Sequence, residues 1–328
     1  MKKNIKRNIL LILSFLLIVA AFVFWCSMRG TPINKKHFPD SALMSVARSF
    51  DFNHNGYLSK KELKEAKNLS IDDKCTDLSG IEYLTSLKNL SLNCSDLSGI
   101  EHLTNLETLN IYGNCPDLSS VEKLPNLKKI KISGVEFGET FVFDYDISVA
   151  EIEFYDCEFT KGILFDNDSV ENVSFGYVFN GTCGVSGDVV FADCDGLVGF
   201  SAEFCNMKEQ NYSVDLSGCD NLDWVSITDE QVITSVDISD CRKLRSFKIY
   251  DYDHHDEPEL TLNISGCPNI DEVNLESERL KKIDITDCPH LISASEQAPY
   301  KEDYDYVYES EDGCISTHCE QLVFIDNH

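Results

Sequence analysis

Between residues 77 and 132 the chain alternates polar turns with apolar triplets at a nearly fixed step. Asp77-Leu-Ser-Gly-Ile-Glu-Tyr-Leu84, Asp96-Leu-Ser-Gly-Ile-Glu-His-Leu103 and Asp117-Leu-Ser-Ser-Val-Glu-Lys-Leu124 align with one another. They are followed by Leu87-x-x-Leu90-x-Leu92, Leu106-x-x-Leu109-x-Ile111 and Leu127-x-x-Ile130-x-Ile132, at steps of 19 and 21 residues. Two apolar residues two apart, with a polar one between, predict a short strand whose apolar side chains all face inward. Downstream the pattern becomes Ile152-x-Phe154-Tyr-Asp-Cys157, Val189-x-Phe191-Ala-Asp-Cys194, Val214-x-Leu216-Ser-Gly-Cys219, Val236-x-Ile238-Ser-Asp-Cys241, Leu262-x-Ile264-Ser-Gly-Cys267 and Ile283-x-Ile285-Thr-Asp-Cys288. A second apolar pair is interleaved at Val225-x-Ile227, Phe247-x-Ile249 and Val273-x-Leu275, so each repeat is predicted to have two extended edges.

The L-x-x-L-x-L step is the signature of a leucine-rich repeat, in which each coil buries its apolar face only against its neighbours. The coils have no room for a long outer helix. The expected fold is therefore a flattened leucine-rich repeat solenoid over residues 69–328, a parallel β sheet on one face and 3₁₀ or strand-like segments on the other. Fourteen cysteines would suggest a disulfide framework in a short secreted scaffold. Here nine fall on repeat positions: Cys157, Cys194, Cys219, Cys241, Cys267 and Cys288 three residues after the apolar pair, and Cys75, Cys94 and Cys115 two residues before an Asp. They read as a ladder of buried free thiols, although a strand spacing of about 4.8 Å leaves oxidation open. Cys314 and Cys319 are near enough in sequence for a local bridge, and Cys183 and Cys205 follow no pattern.

Residues 51–62 meet every position of D-x-[DN]-x-[DN]-G-x5-E. Calcium takes six to eight oxygens, and this spacing offers Asp51, Asn53, Asn55, the Tyr57 carbonyl, Ser59 and both oxygens of Glu62, with Gly56 at the sharp turn. Ser41 is placed to cap a preceding helix with Leu43, Val46, Ala47 and Phe50 on its apolar face, and Leu63 with Ala66 continue after the loop. Residues 31–68 are thus expected to form an EF-hand-like helical cap binding Ca2+, or a metal-free helix-turn-helix of the same sequence. Only two side-chain ligands are charged, which points to weak binding of about 0.1–1 mM. No second loop is present to pair with this one. Ahead of the cap, Lys2, Lys3, Lys6 and Arg7 precede an apolar run from Ile9 to Trp25 broken only by Ser14. Residues 1–30 read as a single-pass signal anchor or a cleaved signal peptide, with the remainder outside the membrane or secreted. Cys26 would suit lipidation, but Trp25 stands where such signals carry a small residue.

The net charge of −28 becomes −33 over residues 31–328, because the first thirty residues hold five cations and no acid. So acidic a chain repels phosphate backbones, which argues against nucleic acid as a partner. Catalytic patterns such as G-x-S-x-G or H-E-x-x-H do not occur, and Gly181-Thr-Cys183-Gly, the one turn readable as a nucleophile turn, has no base that can be named.

The order of these features resembles the internalin-like group of surface leucine-rich repeat proteins of Gram-positive bacteria. The resemblance rests on a membrane-directing N-terminus, Asn34-Lys-Lys-His-Phe-Pro-Asp40 leading into a calcium-loop helix pair, and then Asp77-Leu-Ser-Gly-Ile-Glu-Tyr-Leu-Thr-Ser-Leu87. It is good over residues 34–132 and weaker over 133–213, and over 214–291 it shifts to the V-D-I-S-x-C form. It implies a non-catalytic cell-surface recognition or adhesion protein that binds a protein or glycan. The chain departs from that group in showing no Ig-like domain and no wall-sorting motif, which leaves the partner and the oligomeric state open. On stacked coils the mid-strand residues form columns: Ser91, Asn110 and Lys131 early, Asp215, Asp237, Asn263 and Asp284 later, with Ser226, Lys248 and Asn274 beside them. The first two columns are the expected binding surface. A spacer of the envelope that self-associates through calcium is the other reading. Asp251-Tyr-Asp-His-His-Asp-Glu-Pro-Glu259 is expected to bulge as a loop. Tyr300–Asp312, within an acidic stretch near 296–312, is expected to be a mobile excursion or a partner-binding hairpin before a capping segment at Leu322–Ile325.

Overall fold

The apolar pairs stack in register into two long sheets, and that register decides which residues share a face. A computed structural model of the chain describes residues 30–328 apart from 114, 116, 145–147, 177–182, 193, 205–210, 230–231, 252–257, 298, 303–304, 318–321 and 328. The expected signal or membrane segment, with Cys26, lies outside the described residues, as do Cys205 and Cys319. Among the described residues no helix is long and apolar enough to cross a membrane.

The main sheet has thirteen strands. It begins with Asn68–Cys75, Asn89–Cys94, Thr108–Tyr112 and Lys129–Ser133, and continues through Glu151–Tyr155, Asn172–Gly176, Gly199–Phe204, Trp224–Asp229, Ser246–Asp251, Glu272–Glu276 and Cys314–Thr317, all parallel. Leu90, Leu109, Ile130 and Ile152 stand in line across it and are buried, as the alternation requires. The first strand, carrying Leu69 and Ile71, precedes the first of the aligned repeats.

Opposite this sheet the outer side changes character. In the first coils it consists of 3₁₀ turns at Ile81–Tyr83, Ile100–His102 and Ser119–Lys123. The D-L-S-G-I-E motif explains them: Asp77 Oδ1 accepts the Ser79 amide at 2.8 Å, Gly80 takes φ +105°, and Glu82 Oε2 accepts the Gly80 amide at 2.6 Å. A side chain at Gly80 would also meet the His37 carbonyl at 2.2 Å, so this turn is fitted against the cap. From residue 141 the outer side becomes a second parallel sheet of eight strands, Phe141–Phe143, Ile163–Phe165, Val189–Phe191, Asn211–Asp215, Val232–Asp237, Leu260–Asn263, Leu280–Asp284 and Val323–Ile325. A three-stranded sheet of Glu136–Phe137, Glu158–Phe159 and Gly184–Val185 bridges the change.

Phenylalanine fills the interior where leucine runs out. Phe154 is fully buried, stacks on Phe175 at 5.0 Å, and meets Phe141 and Phe159 edge-on at 5.3 Å each. Phe165 likewise stacks on Phe191 at 4.6 Å. Asparagines tie successive coils along one side: Asn105 donates to the Thr85 carbonyl, Asn126 to Thr104, Asn221 to Asp195 and Asn269 to Arg242.

The cysteines form three stacks and not one. Cys75, Cys94 and Cys115 lie at the end of the first strands of the thirteen-stranded sheet, their thiols directed at the carbonyls of Asp77, Asp96 and Asp117. Cys157 follows a strand of the same sheet and is therefore not in line with the later five. Its partner is Cys183, the residue without a pattern in the sequence, one coil further on; Cys183 points at the Phe154 carbonyl. Cys194, Cys219, Cys241, Cys267 and Cys288 follow strands of the eight-stranded sheet, and the last three point at carbonyls of the preceding coil. All ten are free and buried. Burial pushes the thiols of Cys75, Cys115, Cys219 and Cys288 up to about 12, so they stay protonated and inert at neutral pH.

At the C-terminal end, Tyr300–Glu302 and Asp305–Glu309 form an antiparallel hairpin that pairs with Cys314–Thr317. Val307 and Tyr308 are buried there, so the expected mobile excursion is instead the closing edge of the main sheet. The expected acid-rich loop lies at residues 252–257, outside the described part, but Asp251 is no loop residue: it ends a strand and is buried against Arg279.

Candidate functional site

At the N-terminal end, the twelve-residue loop sits between a helix at Ser41–Ala47, continued by a 3₁₀ turn at Arg48–Phe50, and a helix at Lys60–Glu65. Asp40, not Ser41, caps the first helix: its Oδ1 accepts the Ala42 amide at 2.7 Å and the Leu43 amide at 3.3 Å. Its Oδ2 accepts the Thr76 amide at 3.0 Å, tying cap to solenoid. Burial would raise the Asp40 carboxyl, but the amides of Thr76, Ala42 and Leu43 outweigh it and hold it below its ordinary value. Ser59 caps the second helix in a reciprocal box with Glu62.

Within the loop the two carboxylates are buried, Asp51 at 6% and Glu62 at 4% exposure. Asp51 accepts the amides of Asn55 at 3.0 Å and Gly56 at 2.7 Å. Glu62 accepts Asn53 Nδ2 at 2.8 Å through Oε1 and the Ser59 hydroxyl at 2.6 Å through Oε2. Burial alone would raise the Glu62 carboxyl; the Ser59 and Asn53 hydrogen bonds overcome this and lower it, while Asp51 pushes the other way. As placed, both carboxylates are satisfied by N–H and O–H donors, and ligation of a hard, oxygen-seeking cation there would need the Asn53 amide turned to present Oδ1. Asn55 Oδ1 accepts the Tyr57 amide at 2.8 Å, and the Tyr57–Leu58 edge pairs antiparallel with Thr31–Pro32. Among the described residues no group of three or more His, Cys, Asp and Glu is placed to hold a metal.

The seven expected surface residues divide between two faces. Ser91, Asn110 and Lys131 are in register on the thirteen-stranded sheet, and their column continues through Glu153, Ser174, Ser201, Ser226, Lys248, Asn274 and Ser316. Asp215, Asp237, Asn263 and Asp284 line up on the eight-stranded sheet instead. There each shapes a turn: Asp215 accepts the Ser217 amide at 3.0 Å, Asp237 the Ser239 amide at 2.9 Å, Asn263 the Ser265 amide at 3.1 Å and Asp284 the Thr286 amide at 3.0 Å. The D-I-S segment thus repeats for the sake of its turn.

The thirteen-stranded face carries a charge network that the sequence did not reveal. Glu153 receives Lys129 at 2.5 Å, Lys131 at 2.5 Å and the Tyr155 hydroxyl at 2.9 Å, and Lys131 stands 5.6 Å above the Tyr155 ring. Burial raises the Glu153 carboxyl, yet the two lysines and the tyrosine lower it overall. Glu107 bridges Lys88 and Lys128 alongside. Asn110 donates to the Ser91 hydroxyl at 2.9 Å, and its own Oδ1 is buried without a hydrogen-bond partner. Tyr112 and Trp224 project from the same face, 46% and 38% exposed. Trp224 was readable beforehand, since inward Val225 and Ile227 place residue 224 outward.

The imagined nucleophile fails on geometry: Cys183 is fully buried, and its hydrogen bond with Cys157, together with burial, holds its pKa well above the ordinary thiol value.

No protein-family profile and no curated protein sequence matches the chain. Among solved structures it is similar to internalin C2 from Listeria monocytogenes, at 16% identity and a TM-score of 0.43, covering 67% of this chain and 97% of that one. It is also similar to the functional domain of InlJ from Listeria monocytogenes, which includes a cysteine ladder, at 14% identity and a TM-score of 0.26, covering 80% of this chain and 79% of that one.

Proposed function

We propose that this chain is a non-catalytic recognition protein of the cell surface whose thirteen-stranded face docks a protein or glycan partner. The observation that carries this reading is the unbroken column from Ser91 to Ser316, bordered by exposed Tyr112 and Trp224. Tyrosine and tryptophan supply contact area at low entropic cost, and serine and asparagine supply adaptable hydrogen bonds. The reading keeps Ser91, Asn110 and Lys131 as partner-facing and assigns Asp215, Asp237, Asn263 and Asp284 to their turns. A photo-crosslinking residue at position 110 of the full chain is expected to form partner adducts on cells, whereas one at position 237 forms none. Adducts from 237 alone would place the surface on the other sheet.

In the same proposal the loop of Asp51, Asn53, Asn55, Tyr57, Ser59 and Glu62 holds calcium in a structural role. The cation would draw the Asp51 and Glu62 carboxylates together and brace the Tyr57–Leu58 edge against Thr31–Pro32. It stabilises only when its concentration exceeds the dissociation constant, reaching about 2.7 kcal/mol at a hundredfold excess. Millimolar calcium is expected to raise the melting temperature of the full chain, and Glu62→Gln to abolish the rise. No calcium heat in calorimetry of the wild type would end this part of the proposal.

A further inference from the structure

The strand Trp224–Asp229 opens with a tryptophan on the outward side of the thirteen-stranded sheet, and its register partner on the preceding strand is Gly199. The indole lies over that glycine. A Cβ at Gly199 would stand 2.4 Å from Cε2 and Cζ2 of the ring and 2.6 Å from Nε1, so no other residue fits beneath it. One side of the ring thus rests on backbone, and the residue as a whole is 38% exposed.

One residue toward the turn, Glu171, Val198 and Asp223 form the adjoining row, joined by the Val198 amide to the Glu171 carbonyl at 2.7 Å and the Asp223 amide to the Val198 carbonyl at 2.8 Å. This row opens on a groove of about 600 Å³ that Asp168, Asn221 and Lys243 also line. Small-ligand sites occupy roughly 300–1,000 Å³. The groove is polar and already organised: Lys243 Nζ donates to Asn221 Oδ1 at 2.5 Å, and Arg245 grips Asp223 through two hydrogen bonds of 2.5 and 2.8 Å. That grip holds the Asp223 carboxyl below its ordinary value. Three carboxylates against Lys243 and the Arg245 paired with Asp223 leave the groove negative, which disfavours an anionic polymer. A flat apolar ring beside acceptors and donors matches a ligand with an apolar ring face and a hydroxylated edge.

We propose that a neutral saccharide binds across this groove and Trp224, the residue next to Asp223 on the adjoining row of the sheet. The C–H face of one sugar ring stacks on the indole, while its hydroxyls donate to Glu171 and Asp223 and accept from Asn221. The proposal rests on the reading of the thirteen-stranded face as a binding surface and gives part of that face a ligand class.

The chain contains two tryptophans, and Trp25→Phe in the full-length protein leaves Trp224 as the only reporter. Titration in detergent with chitotetraose, cellotetraose and maltotetraose is expected to give a saturable emission change for at least one of them, with Kd near 1 mM. By calorimetry, Trp224→Ala should abolish the heat of binding, Trp224→Phe should retain it at reduced affinity, and Glu171→Gln should weaken it about tenfold. No saturable response to any of the three up to about 10 mM overturns the proposal. So does a response to heparin alone, or undiminished heat with Trp224→Ala. A chain that takes no sugar yet still crosslinks a protein from position 110 overturns the saccharide site while leaving the sheet-face reading intact; loss of crosslinking with sugar binding retained does the reverse.

Discussion

Replacing Arg279 with methionine is expected to destabilise the C-terminal coils by about 3–5 kcal/mol, the usual cost of leaving one member of a buried ion pair alone. Arg279 and Asp251 sit on neighbouring coils with side chains 2% and 1% exposed. Two hydrogen bonds of 2.9 Å join them, a third runs from Arg279 Nη1 to the Pro258 carbonyl at 3.1 Å, and Ser277 donates to Asp251 at 2.5 Å. With the guanidinium gone, Asp251 keeps only the serine and must bury a charge or take a proton. Restoring balance by Asp251→Leu with Arg279→Met should recover most of the loss, because well-packed apolar residues do at least as well as a buried pair. Urea denaturation with hydrogen exchange on residues 246–284 reads both variants. An Arg279→Met protein as stable as wild type would show that the pair contributes nothing.

The second large effect is expected from Phe154→Ala. Phe154 meets aromatic rings of all three sheets, Phe137 at 6.4 Å on the three-stranded, Phe141 at 5.3 Å on the eight-stranded and Phe175 at 5.0 Å on the thirteen-stranded, and has no exposed surface. Truncation removes its burial and leaves a cavity that rigid strands on either side cannot close, a loss of about 3–5 kcal/mol. In a solenoid such a weak coil interrupts cooperativity, since each coil is stabilised by its neighbours. Calorimetry should therefore show the single unfolding transition split in two, with the leucine-rich N-terminal coils melting apart from the rest. A single transition shifted by less than about 1 kcal/mol would mean that the surrounding phenylalanines collapse into the space.

Much of this could be read before any coordinates. The pattern Leu87-x-x-Leu90-x-Leu92 announces a solenoid because it recurs at steps of 19 and 21 residues, so that each short strand finds its neighbour in the next copy. The Asp-x-Asn-x-Asn-Gly spacing announces an oxygen-lined loop because carboxylates and amides recur where the turn can gather them. Even the outward position of Trp224 follows from the inward Val225 and Ile227 beside it. What alternation cannot express is which of two sheets a strand joins. Val214-x-Leu216 and Val225-x-Ile227 carry the same local pattern, yet one strand belongs to the eight-stranded sheet and the other to the thirteen-stranded. Periodicity reports inside against outside within a strand, and nothing about its neighbours.

The same distinction sorts the remaining features. The chain's own order of residues determined a repeat, cysteines at repeat positions, a twelve-residue loop pattern between two helices and an acidic composition, each legible along a few residues. The tertiary structure alone decided that Cys157 stands on Cys183, that Asp251 is gripped by Arg279, that Glu153 gathers Lys129 and Lys131, and that the indole of Trp224 rests on Gly199. Each of these joins residues on different coils, 22 to 28 positions apart, and the coils differ in length. Only the stacking register, set by how Leu, Ile and Phe side chains of different volume fill the interior, brings such pairs into contact.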